Sequence, residues 1–79
     1  MIISTLHHEI PMIYNFEAIP RFFINIKKSG KAELLASNFY FEGSSCISEY
    51  KNYERAKEVF QQMQDAAIRG DKIFLMPIE

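Results

Sequence analysis

His7-His8-Glu9, the single Cys46 and the cluster Tyr50-Lys51-Asn52-Tyr53-Glu54-Arg55 hold the side chains from which chemistry would have to be built. Adjacent histidines on an extended segment point to opposite faces, so they do not ligate one ion together. No His-x-x-x-His, cysteine pair or second carboxylate cluster completes a tetrahedral metal set. Cys46 would need a base and an orienting group to act as a nucleophile, and both histidines are remote in sequence. Gly30, Gly43 and Gly70 stand alone, so no glycine-rich loop cradles a phosphate. The expectation is a protein that is not an enzyme, with no metal and no cofactor.

The cluster at residues 50–55 differs, because it coincides with a helix start. Free amides and the positive end of the dipole make a general anion-binding geometry there. Two tyrosines can stack on a base, and Lys51 and Arg55 can neutralise phosphates. The competing reading is a solvated helix start with Tyr53 tucked into the core. Arg21-Phe22-Phe23 also joins a cation to aromatic rings. With Tyr14, these segments supply five candidate ligand-binding residues: Tyr14, Arg21, Tyr50, Lys51 and Arg55. They are expected to meet at a boundary between subunits.

Composition sets the frame for any such site. Seventy-nine residues make one domain, 1–79. A chain of this size buries only roughly 60–65% of its unfolded surface, so its stability as a monomer is marginal. One cysteine permits no internal disulfide and suits a reducing compartment. No basic leader and no apolar run of ~18–20 residues is present, which suggests a soluble protein of the cytoplasm rather than a membrane protein. Nine basic against ten acidic residues leave a net charge of −1, too little to draw in nucleic acid. Seven Phe and four Tyr are more rings than one small core easily hides, so apolar surface is expected to meet a ligand or another subunit.

The elements that must position these residues follow from periodicity. Residues 1–5 and 10–16 suggest short strands, the second entered through Pro11. Ile10-Pro11-Met12-Ile13-Tyr14 and Ile19-Pro20-Arg21-Phe22-Phe23 share a pattern, read here as coincidence. Alternation over 21–28 predicts a strand with Phe22, Ile24 and Ile26 on one face. A turn at 28–31 with Gly30 leads into a returning strand over 32–42, with Leu35, Phe39 and Phe41 on one face and Leu34, Ala36, Asn38 and Tyr40 on the other. After a turn at 43–45, residues 46–50 predict a third strand, with Cys46, Ser48 and Tyr50 opposed to Ile47 and Glu49. Asn52 is the natural N-cap of a helix over 53–69. Tyr53, Ala56, Val59, Phe60, Met63 and Ala67 form its apolar stripe. Asp65 and Arg69 have the favourable i, i+4 order, and Gly70 is the left-handed stop. The apolar run 72–76 predicts a last strand, covered on both faces or by a partner. The fold class is α+β: an antiparallel sheet of four to six strands, one long amphipathic helix on one face and a short C-terminal strand.

The segment from Tyr50 to Phe60, followed by Gly70 and by Phe74-Leu75-Met76-Pro77-Ile78-Glu79, resembles small proteins of phages and prophages of Gram-positive bacteria. The resemblance covers the C-terminal third and transfers no catalytic residue. It implies a host-cell setting and a non-enzymatic protein that inhibits a host defence system as a homo-oligomer. The first expectation is that it sequesters a small nucleotide signal at the five residues named above. The alternatives are that it caps a host protein by strand addition or groove filling, or that it only self-assembles as a structural or regulatory component.

Overall fold

The computed structural model of the protein describes residues 1–9, 11–19, 21–37 and 44–79. In chain order the elements are β1 (Ile2–Ser4), β2 (Ile13–Asn15), a 3-10 turn (Phe16–Ala18), β3 (Arg21–Ile26), β4 (Ala32–Ser37), β5 (Ser44–Tyr50), α1 (Tyr53–Arg69) and β6 (Ile73–Leu75). The fold is α+β, as the periodicities require.

The strands divide into two three-stranded sheets, ordered β2-β1-β6 and β3-β4-β5. In the larger sheet both pairings are antiparallel. In the smaller one β1 pairs antiparallel with β2 but parallel with β6, Ile3 lying opposite both Tyr14 and Phe74. A single antiparallel sheet was the expectation. Period-2 alternation marks strands but does not say which strand lies beside which.

Local signals produce the two tightest features. The β3–β4 hairpin closes through Gly30 at φ 93°, whose N–H donates to the Lys27 carbonyl at 3.0 Å. Lys27 N–H in turn donates to the Lys31 carbonyl at 2.8 Å. A side chain at Gly30 would be strained in that left-handed conformation. At the helix start the Asn52 side chain accepts the Arg55 N–H at 2.9 Å, a cap that contributes about 1 kcal/mol. Gly70 ends the helix at φ 82°. Arg69 pairs with Asp71 beyond this stop, not with Asp65, which accepts from Gln61.

The core forms where α1 lies on the larger sheet. Ala32, Leu34 and Ala36 of β4 meet Ala56, Val59 and Met63 of α1, and Ile3 and Met76 close the cluster from the smaller sheet. Burying each of the larger aliphatic side chains stabilises the fold by about 1.5–3 kcal/mol. Tyr14 and Phe74 face inward beside Ile3. The inward face of β4 therefore carries Leu34 and not Leu35. Small residues on either side of Leu34 let the helix approach closely, and Leu35 turns to the outer face opposite Phe23. Residues 38–42, the rest of the expected strand, and Gly43 of the expected turn lie outside the described residues, as do Ile10 and Pro20 of the two Ile-Pro segments.

A bulge in β5 has the largest effect on the site. Leu34 pairs with Ser48, but Leu35 pairs with Cys46, so Ile47 is the extra residue. A bulge breaks the alternation of faces. Ile47, Ser48 and Tyr50 are all buried, while Cys46 is left exposed.

Candidate functional site

The five sequence-selected residues fall at two ends of the larger sheet. Ala32, at the start of β4, pairs with Tyr50, and Ser37, at its end, pairs with Arg21. Six residues of strand put these ends about 17 Å apart. Tyr14 and Ser37 line a cavity of about 270 Å³ at the Arg21 end, where the Ser37 hydroxyl donates to the Arg21 carbonyl at 3.3 Å. Partial burial, then the nearby Cys46, raises the Tyr14 pKa. Tyr50, Lys51 and Arg55 line a cavity of about 520 Å³ at the other end, with Lys31, Glu49 and Glu79. One chain thus assembles three of the five residues, not all five.

That second cavity has little left to offer an anion. Tyr50 is only 2% exposed, so its ring is part of the core and cannot stack on a base. Its hydroxyl donates to the Pro77 carbonyl at 2.9 Å, and burial raises its pKa. Arg55 Nε and Nη2 both donate to the main-chain oxygen of Glu79, at 2.9 and 2.6 Å. Lys31 lies 3.6 Å from Glu49, which also accepts from Lys27 at 2.8 Å. The Lys27 hydrogen bond, with the charges of Lys27 and Lys31, lowers the Glu49 pKa. Of the three cations lining this cavity, Lys51 is the one for which no ion pair forms among the described residues. The expected roles are also reversed: Tyr50 is buried, and Tyr53 stands 40% exposed on the helix surface.

His8 serves structure. Its Nε2–H is shared between the Met76 and Pro77 carbonyls, each at 3.2 Å, fastening the β1–β2 connection to the C-terminal segment. Among the described residues no three His, Cys, Asp or Glu side chains gather as a metal set. No helix among them is long and apolar enough to cross a membrane.

A different site emerges along the flank of α1. Tyr53, Lys57, Phe60, Gln61 and Gln64 form one wall of a cavity of about 400 Å³, with Phe22, Phe23 and Ile24 of β3 opposite. A second cavity of about 420 Å³ continues from Gln64 to Phe16, Ala67 and Ile68. These helix positions recur at three- and four-residue spacing, so they make one stripe along the whole helix. Three rings connect the walls: Phe22 stacks on Phe16 at 5.4 Å between centroids and meets Phe60 edge-on at 6.4 Å. The result is an aromatic trough between helix and sheet, with Lys57 at its rim.

The trough lies beside an open strand edge. β3 has β4 on one side and, among the described residues, no strand on the other. Lys27 and Lys31 form a hydrogen-bonded pair, so by alternation Asn25, Phe23 and Arg21 also bond to β4. The N–H and C=O groups of Phe22, Ile24 and Ile26 then point away from the sheet. The five uncharged residues beyond Arg21, Phe22 to Ile26, present a template for another strand. Sequence reasoning identified this strand and placed Tyr53 and Phe60 on the apolar stripe of the helix, but periodicity does not show that β3 is an edge. The excess of rings was the signal available.

No protein-family model, curated protein or solved structure matches this chain.

Proposed function

We propose that the protein is a non-enzymatic binding protein that captures an extended segment of a partner protein by strand addition on β3. The observation that carries this reading is the coincidence of two features at one place. The outward N–H and C=O groups of Phe22, Ile24 and Ile26 supply main-chain hydrogen bonds, and the adjoining trough accepts alternate side chains. Aromatic walls favour apolar side chains in the trough, and Lys57 favours a carboxylate at its rim. The resemblance of the C-terminal third to small phage proteins supports taking the partner from the host, as an inhibitor that caps a host protein surface. The nucleotide reading draws less support, since Tyr50 is core and Arg55 is held by Glu79.

The test is a terminally blocked heptapeptide of alternating valine and threonine with one central glutamate, titrated into isotope-labelled protein. Amide shifts should concentrate at Phe22, Ile24 and Ile26 and at the trough residues Tyr53 and Phe60. Ile26→Pro removes an outward N–H from an edge position that tolerates proline and should weaken binding at least tenfold. Shifts confined to Lys51, Arg55 and Glu79, or a thermal shift with cyclic dinucleotides in place of peptide binding, would overturn the reading.

A further inference from the structure

Beyond the strand-binding edge, we infer that the outer face of the smaller sheet is the contact between two copies of this chain. Register fixes which residues share that face. Ile3, Tyr14 and Phe74 lie opposite one another and turn inward, so Ile2, Ser4, Ile13, Asn15, Ile73 and Leu75 turn outward. Four of these six are aliphatic and well exposed: Ile13 at 72%, Ile73 at 60%, Leu75 at 50% and Ile2 at 37%.

Such a face is unusual for a sheet exposed to water. An antiparallel sheet with one wet side alternates apolar and polar residues, whereas the strands of an all-parallel sheet, covered on both faces, read as continuous apolar runs. Here β6 pairs in parallel and is apolar on both faces. The four aliphatic residues expose about 400 Å² per copy, the size of the largest apolar patch on a typical small protein, which is often functional. Leu6, two residues beyond Ser4, extends it to about 500 Å², against about 800 Å² per partner in a standard stable interface.

The chemistry favours a second copy as the occupant. A twofold contact brings a surface against itself, so any charge on it meets a like charge. None of the six outward positions carries an ionisable group. Two flat aliphatic faces can therefore stack sheet on sheet at about 10 Å. The β3 edge belongs to the other sheet and stays open in such a dimer. Each assembly then presents two strand-binding troughs.

Sedimentation equilibrium of the full chain from 1 to 100 µM is the experiment. Wild type should sediment at twice the chain mass in the upper part of that range. Ile13→Glu and Ile73→Glu should each be monomeric throughout, a weakening of at least 100-fold, with an unchanged far-UV spectrum. Ile13→Ser, which adds no charge, provides the same reading if either glutamate variant fails to fold. Ile26→Pro should remain dimeric. A wild type that stays monomeric at 100 µM, or a dimer that survives both glutamates together, overturns the inference. So does a dimer lost in Ile26→Pro and kept in Ile13→Glu, since the copies would then pair through the β3 edge.

Discussion

Phe22 meets Phe60 edge to face with ring centroids 6.4 Å apart, so the joint between β3 and α1 is also the floor of the trough. Stability and binding therefore overlap at Phe22 and separate at the rim. Phe22→Ala should cost about 2–3 kcal/mol, below the range for a fully buried ring because Phe22 is half-buried. Calorimetry should show this as a fall in Tm of roughly 10–20 °C. Tyr53→Ala, at an exposed wall position, should leave Tm within a few degrees and still weaken peptide binding.

Amide exchange tests the edge directly. In the free protein Phe23 and Asn25 should exchange slowly, because their N–H groups bond to β4. Phe22, Ile24 and Ile26 should exchange about 100-fold faster, since theirs face water. Adding the valine-threonine peptide should slow these three and leave the others unchanged. Uniform protection along β3 would mean that its edge is covered.

The C-terminal segment is fastened by side chains from distant elements, and each fastening can be removed. Tyr50→Phe deletes the hydrogen bond to the Pro77 carbonyl and should cost about 1 kcal/mol. Arg55→Ala releases the Glu79 oxygen and should cost about as much, with helix content retained. Thermal melts of the two variants and of their combination will show whether they hold one segment. Losses that fall short of additive would place both on the same local opening.

Cys46 gives a pH signature. Burial, then the neighbouring Glu33 and Glu49, pushes its thiol from the ordinary 9.0 up to about 11. Alkylation by iodoacetamide should be slow at pH 8 despite an exposed residue, and should rise steeply toward pH 11. Between pH 9 and about 11 the native state keeps a proton that the unfolded chain has released. Stability from this group is thus full below pH 9 and falls as pH rises through that interval. Cys46→Ser should flatten the alkaline decline.

Much of the larger sheet and all of α1 were legible because their signals are local. Asn52, Gly70 and Gly30 act within a few residues of themselves, and each does what its chemistry dictates. The stripe on α1 was read nearly in place, with Ala66 rather than Ala67 fully buried. Two features of the strand faces were not legible, each for a physical cause. Leu34 displaced Leu35 because alanines on either side make room for a helix, which ranking by side-chain size misses. Cys46 parted from the face of Ser48 and Tyr50 because the bulge at Ile47 breaks the alternation, and nothing in Cys46-Ile47-Ser48 announces a bulge. Near the helix start the periodicity did not show that Tyr50 belongs to the core, and the open edge of β3 depends on which strand lies beside it.

The parallel pairing of β1 with β6 sets an order of folding. β3, β4, β5 and α1 follow one another along the chain, so their contacts need only short loops to close. Ile2 opposite Ile73 requires nearly the whole chain to be brought together first. Contacts so far apart in sequence form late and slow the overall rate. With only three residues in each strand, the smaller sheet is the last part to close and the first to open, and a transient opening frees both ends of the chain while leaving the helix seated on β4.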